Sequence, residues 1–182
     1  MSESFSSEDA LNMDHPADWF MCSRSANTFG VKFLDFRLRD VDSGEILIEV
    51  SREEWEILDW MQEEEAKRWG VDNSMDDEER VVEYNFGPTF LELKSIGMQV
   101  GISIGEKPVK SIWMIEKHFF KGNCVKTYDF KTGFCIPHTI NTWETIYLLP
   151  ELDEETKMDM IESTGESSSD SYFFIEEKLF MH

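Results

Sequence analysis

The chain reads as an all-β protein, an antiparallel β-sandwich of about nine strands with one or two short helices. Three features carry that reading. From Phe29 onward apolar residues alternate with polar ones, as on strands with one buried face. Gly-, Pro- and Asn-containing turns separate the runs, and no regular strand-helix-strand alternation signals a parallel sheet. At 182 residues, with 41% hydrophobic and 13% aromatic content, the chain can bury one sizeable core. A single domain over 17–182 is therefore expected.

Residues 1–16, rich in Ser, Glu and Asp, read as a disordered acidic arm with too little apolar surface to offset its ordering entropy. Phe29, Val31 and Phe33, then Phe36 and Leu38, form the first alternating run. Ile46, Ile48 and Val50 form the second, after a hairpin turn at Asp42-Ser43-Gly44. Ser51 and Glu54 make a capping box, and Trp55, Leu58, Met61 and Ala66 recur at helical spacing until Gly70. With the loop at 71–79 they form an acidic helix-loop insertion over 51–80. Further strands are expected over 81–86, 89–94, 98–104, 109–120, 124–134, 142–149 and 172–181. Asp153 is placed to cap a helix reaching about residue 163, and no internal repeat is evident.

The net charge is −21, distributed as −6 over 1–50, −8 over 51–80, +1 over 81–150 and −8 over 151–182. Such a field repels phosphate backbones and anionic headgroups, so neither nucleic acid nor a polybasic membrane contact is expected. No apolar run approaches the roughly 18 residues of a membrane span, and the first residues are acidic where a signal peptide would be basic. Ser2 stands where N-myristoylation of the chain itself would need glycine. The three cysteines, Cys22, Cys124 and Cys135, lack CxxC spacing and suit a reducing cytoplasm. No stable membrane insertion is expected.

Candidate chemistry is sparse. Gly101-Ile102-Ser103-Ile104-Gly105 matches the nucleophile elbow of serine hydrolases, but that elbow needs a strand-to-helix turn, whereas Ser103 lies inside an alternating strand. Cys135 and His138 have C-x-x-H spacing, and His118 could join them, yet no second close pair completes a zinc site. No phosphate loop, dinucleotide fingerprint or calcium loop occurs. No enzyme activity, metal or cofactor is expected.

What stands out is an excess of large aromatic and apolar residues on the near-neutral strands. Core packing explains most of them, and an apolar cavity between the sheets is the other reading. In Ile112 to Phe120, alternation puts Glu116 and His118 on one face with Ile112, Met114 and Phe120. A carboxylate on an apolar face is costly unless paired. Either Glu116 and His118 pair at an exposed strand end, or Glu116 accepts the N–H groups of a peptide at a cavity mouth or floor.

Several blocks resemble a known family. They are Asp40-Val41-Asp42-Ser43-Gly44, Tyr84-x-Phe86-x-Pro88-x-Phe90-Leu91, Gly105-Glu106-Lys107-Pro108-Val109, Met114-Ile115-Glu116-Lys117-His118-Phe119-Phe120, Tyr128-Asp129-Phe130-x-x-Gly133-Phe134-Cys135-Ile136-Pro137, Asn141-Thr142 and Ser169-Asp170-Ser171-Tyr172-Phe173-Phe174. Together they resemble the uncoordinated-119 family of lipid-binding chaperones, a sister of the delta subunit of retinal cGMP phosphodiesterase. The resemblance implies an immunoglobulin-like sandwich with an apolar internal cavity for the acyl chain of N-myristoylated proteins. It also implies cytoplasmic transport between membranes, including ciliary and sensory ones, with release by GTP-loaded ADP-ribosylation-factor-like GTPases. Implied cargo includes G-protein alpha subunits, Src-type kinases and ciliary proteins. By position, Tyr84 and Glu116 would contact the peptide beside the acylated glycine, and Phe33, Phe90, His118, Tyr128, Tyr147 and Phe173 would line the pocket.

Phe173 and Leu149 stand where the family has tyrosine and phenylalanine. Lys121-Gly122-Asn123-Cys124 and Thr142-Trp143 are closer to the delta-subunit branch, which takes prenylated cargo. The alternatives are thus a prenyl carrier or an immunoglobulin-like adaptor with a filled core.

Overall fold

The alternating runs fold into eight antiparallel strands among residues 5–50 and 80–182, which the computed structural model describes. The strands are β1 (Lys32–Asp40), β2 (Ile46–Val50), β3 (Ser95–Ser103), β4 (Trp113–Phe120), β5 (Asn123–Lys131), β6 (Ile140–Leu148), β7 (Ser167–Ile175) and β8 (Lys178–Met181). They form two four-stranded sheets, ordered β2-β1-β3-β6 and β5-β4-β7-β8. The helix and loop expected over 51–79 lie outside the described residues.

Alternation fixes which side chains meet between the sheets. In the first sheet Leu38, Met98 and Thr145 share one row, and Phe36, Val100 and Trp143 the next. This face packs on Met114 and Tyr128 of the second sheet in one apolar cluster. The opposite face of the first sheet carries the exposed ion pairs Arg37 with Glu49 and Arg39 with Glu144. Exposed pairs of this kind add little stability, which suits a solvated face.

The second sheet is covered on both sides. Its other parity, Ile115, Tyr172 and Phe174, packs against Phe5, Ala10 and Met13. Here the structure corrects the reading of residues 1–16 as a disordered arm, because Ser7–Asn12 form a helix, α1. Ser6 and Asp9 make a reciprocal capping box at its start. The Lys117 ammonium donates to the Leu11 carbonyl at 2.8 Å, the Cys124 N–H to the Asp14 carbonyl at 3.1 Å, and the Ala17 N–H to Asp170 at 2.8 Å. The polar composition conceals an apolar stripe that becomes useful only once the sheet face exists.

Four expected strands differ. Residues 81–86 have no regular structure, and the strand expected over 89–94 is instead a 3-10 turn, Pro88–Glu92. Pro88 sits in its first turn, where a fixed φ and a missing N–H favour helix initiation. The run at 172–181 is two strands joined at Glu176 and Glu177, which take φ values of 50° and 62°. A tight turn with two left-handed residues usually announces itself with Asn or Gly. Here Glu177 is held by the Ser7 hydroxyl, which donates to its carboxylate at 2.8 Å. The run at 109–120 becomes continuous strand only from Trp113, with Val109 bridging to Cys135.

Other local expectations are met. Asp40 accepts the Asp42 and Ser43 N–H groups in the β1–β2 turn, and Asp153 accepts the Thr156 N–H to cap α2 (Glu154–Glu162). Ser103 is the last residue of β3, and the flanking glycines are explained by close approach. A Cβ at Gly105 would meet the Phe29 carbonyl oxygen at 2.6 Å, and one at Gly101 the Asp35 carboxylate at 2.2 Å. Gly105→Ala is therefore expected to lower unfolding free energy by about 2–4 kcal/mol, and Ser103→Ala to change it by no more than ~0.5 kcal/mol. Urea denaturation of the two variants checks this.

Candidate functional site

Along the inner face of β4 exposure is confined to two positions. Ile112 is 0% and Met114 2% exposed, whereas the side chains of Glu116 and His118 are 14% and 32% exposed. Exposure on this face therefore peaks at Glu116 and His118, between buried neighbours, since Phe120 is again only 9% exposed.

Its carboxylate is held from both sheets. The His118 Nε2 lies 2.6 Å from Oε1, two residues along β4, and the Tyr147 hydroxyl of β6 donates to Oε2 at 2.8 Å. Tyr128, opposite Glu116 on β5, donates to the Leu148 carbonyl at 3.1 Å, so a second phenol also ties the sheets together. The rings gather round these contacts: His118 meets Tyr128 edge-on at 5.1 Å, and Tyr147 meets Tyr128 at 4.7 Å and Phe130 at 4.8 Å. Glu116 and His118 thus do pair, and the sequence expectation of an exposed strand end is only half met, since Tyr147 closes over the carboxylate.

This environment keeps the phenols neutral. Burial, reinforced by the Glu116 charge, pushes the Tyr128 phenol up to about 12. Burial first and then Glu116 push Tyr147 well above the ordinary tyrosine range, although Thr145 acts in the opposite sense. Tyr84 is raised by burial and then by Glu116. Neutral phenols can donate hydrogen bonds, so the site pairs one acceptor-only carboxylate with O–H donors.

The other predicted residues fall into two groups. Tyr84, 47% exposed, starts an aromatic stack that runs to Phe86 at 6.1 Å and on to Phe90 at 4.2 Å, with Phe36 on its other side at 6.2 Å. Phe33 packs on Phe173 at 5.2 Å. Phe33, Phe36, Phe86, Phe90 and Phe173 pack against the inter-sheet cluster, and Tyr84 is near enough to Glu116 to feel its charge. Phe36, Phe86, Phe130 and Thr145 belong to the same surroundings and were not singled out as site residues. Parity could have found both Phe130, two positions from Tyr128, and Thr145, two positions from Tyr147. Cys135 is buried on its bridge to Val109. Among the described residues no helix is long and apolar enough to cross a membrane, and no three His, Cys, Asp or Glu side chains converge on a metal position.

A tyrosine whose proton is held more tightly in the folded chain adds stability that is full below its unfolded pKa, ~10, and lost as pH rises through the folded value. Unfolding free energy is therefore expected to fall between about pH 10 and about 12, less steeply in Tyr128→Phe. Denaturation series across that range, with phenolate absorbance titration, check it.

The arrangement offers an apolar, aromatic interior with one part-buried acceptor on its wall, which suits a ligand carrying a long apolar tail and an N–H group. Residues 25–182 match the family model described as GMP-PDE, delta subunit. The chain is 40% identical over 175 residues to Protein unc-119 homolog B-B of Xenopus laevis, covering 96% of this chain and 69% of that one. It is 37% identical over 174 residues to Protein unc-119 of Caenorhabditis elegans, covering 96% and 74%. It is also 37% identical over 175 residues to Protein unc-119 homolog B of Homo sapiens, covering 96% and 68%. With two antiparallel sheets in place and identity of this order along nearly the whole chain, the protein belongs to the unc-119 family, within the immunoglobulin-like fold of the GMP-PDE delta subunit.

Proposed function

We propose that this protein is a carrier that buries the acyl chain of N-myristoylated proteins, solubilises them and moves them between membranes, ciliary and sensory ones included. Family membership supports the coarser role, a lipid-binding carrier rather than an enzyme. The observation that carries the finer one is the Glu116 carboxylate, held between the sheets by Tyr147 and His118 at the border of the apolar interior.

The energetics require such an interior. Moving an acyl chain out of a bilayer must offset about 0.8 kcal/mol per methylene, on the order of 10 kcal/mol for a myristoyl group. Phe33, Phe90, Phe173 and the aliphatic residues of β3 supply apolar surface for the chain. Glu116 accepts the N–H groups of the first peptide units, and Tyr84 contacts the peptide from the more exposed side. A prenylated cysteine holds its lipid through a thioether, with no N–H at the junction to satisfy Glu116, and this favours acyl over prenyl cargo. Release follows when a GTP-loaded ADP-ribosylation-factor-like GTPase binds preferentially to a conformation with low cargo affinity. G-protein alpha subunits and Src-type kinases represent the cargo class. No covalent step is needed.

A fluorescent N-myristoyl-glycyl peptide is expected to bind with submicromolar affinity and its farnesylated counterpart far more weakly, as read by fluorescence polarisation. Equal binding would sink the acyl preference, and no binding of either would sink the carrier. Glu116→Ala should weaken the myristoylated peptide by about 1–3 kcal/mol, the loss of hydrogen bonds to a charged acceptor. Unchanged affinity in that variant would remove Glu116 from the site.

A further inference from the structure

We propose that Thr145 is a specificity residue of this site, donating a hydrogen bond to the carbonyl of the amide that joins the acyl chain to the cargo's first glycine. The proposal rests on the carrier reading above. Thr145 lies on the inner face of β6 between Trp143 and Tyr147 and is 7% exposed. Its Oγ1 is buried beside the Tyr147 phenol and, among the described residues, makes no hydrogen bond of good geometry. A buried hydroxyl normally finds a partner, so one left without a well-formed bond next to the Tyr147–Glu116 contact points to a group that arrives with the ligand.

Its neighbours show which group. Thr145 pairs across the sheet with Met98, and the Tyr147 hydroxyl lies 3.5 Å from the Met98 sulfur while bonding Glu116. The Tyr147 ring thus leans back over the Thr145 row, bringing the Glu116 carboxylate toward it. Tyr147 has committed its one proton to Glu116 and can only accept further hydrogen bonds. Glu116, when ionised, also only accepts, so it can satisfy an amide N–H but not an amide carbonyl. The Thr145 hydroxyl supplies the missing donor. Together the two residues complement both polar atoms of one secondary amide. A thioether offers no N–H and only a weakly accepting sulfur, which leaves the Thr145 hydroxyl unsatisfied. Sites built around a hydrogen bond reject analogues lacking it more strongly than apolar pockets reject a change of size.

The test compares two peptides of identical sequence, one carrying a tetradecanoyl chain through the glycine amide and one a tetradecyl chain through a cysteine thioether. Each is titrated against the full chain, Thr145→Val and Thr145→Ser by fluorescence polarisation. Thr145→Val, nearly isosteric, is expected to weaken the amide-linked peptide about five- to thirtyfold and leave the thioether-linked peptide within about twofold. Thr145→Ser, which keeps the hydroxyl, is expected to retain the discrimination. Equal losses for both peptides in Thr145→Val, or no loss for either, would overturn the role of Thr145 while leaving the carrier reading intact. Failure of the unsubstituted protein to bind either peptide would overturn both. Loss of discrimination in Thr145→Ser as well would assign the effect to side-chain shape and overturn the hydrogen bond.

Discussion

A carboxylate on the inner face of a sandwich constrains everything opposite it. Left alone, Glu116 would carry the desolvation cost of a charge facing an apolar cluster, a cost that buried ions meet only through close and well-aligned partners. Its partners come from both sheets, His118 from the same strand and Tyr147 from β6. The spacing of the sheets at this point is therefore set by the length of a tyrosine reaching a glutamate. Tyr128 spans the same gap in the opposite direction, from β5 to the Leu148 carbonyl. Two crossed phenols are a stiffer spacer than aliphatic packing, because a hydrogen bond has a preferred length and direction.

β4 bears both this site and the opposite surface of the second sheet. Its even-numbered residues, Met114, Glu116 and His118, face the space between the sheets, and its odd-numbered residues, Ile115, Lys117 and Phe119, face the other way. Lys117 is buried there and holds the last carbonyls of α1 through Leu11. The N-terminal segment is accordingly bonded to the strand that positions the part-buried carboxylate. A strand in the middle of its sheet, covered on both faces, has little freedom to shift, and that rigidity keeps Glu116 and Tyr147 in register.

Legibility in the sequence followed the range of the interaction. The Asp42-Ser43-Gly44 turn and the Asp153 cap rest on side chains bonding backbone two or three residues away, and both were readable. The Lys121-Gly122 turn, with φ of 49° and 76°, was readable because glycine tolerates that region. The Glu176-Glu177 turn was not, since its support includes Ser7, 170 positions distant. Nor was α1, whose apolar stripe is too short to be stable without the sheet it covers. The segment from Val81 to Glu92 misled by its own alternation of apolar residues, which here builds a stack of rings from Tyr84 to Phe90 instead of a strand.

The sequence by itself determined that Glu116 and His118 share a face with Met114, because successive side chains of an extended backbone point to opposite sides whatever the strand pairs with. It also carried the family blocks, and with them the expectation of the residues around the carboxylate. Only the tertiary structure decided that Tyr147, 31 positions on, donates to that carboxylate and that the Thr145 hydroxyl is buried beside Tyr147 without a well-formed hydrogen bond. The physical reason is that strand parity is written in local stereochemistry, whereas the contact between two sheets depends on how whole faces pack, and no short stretch of the chain specifies that.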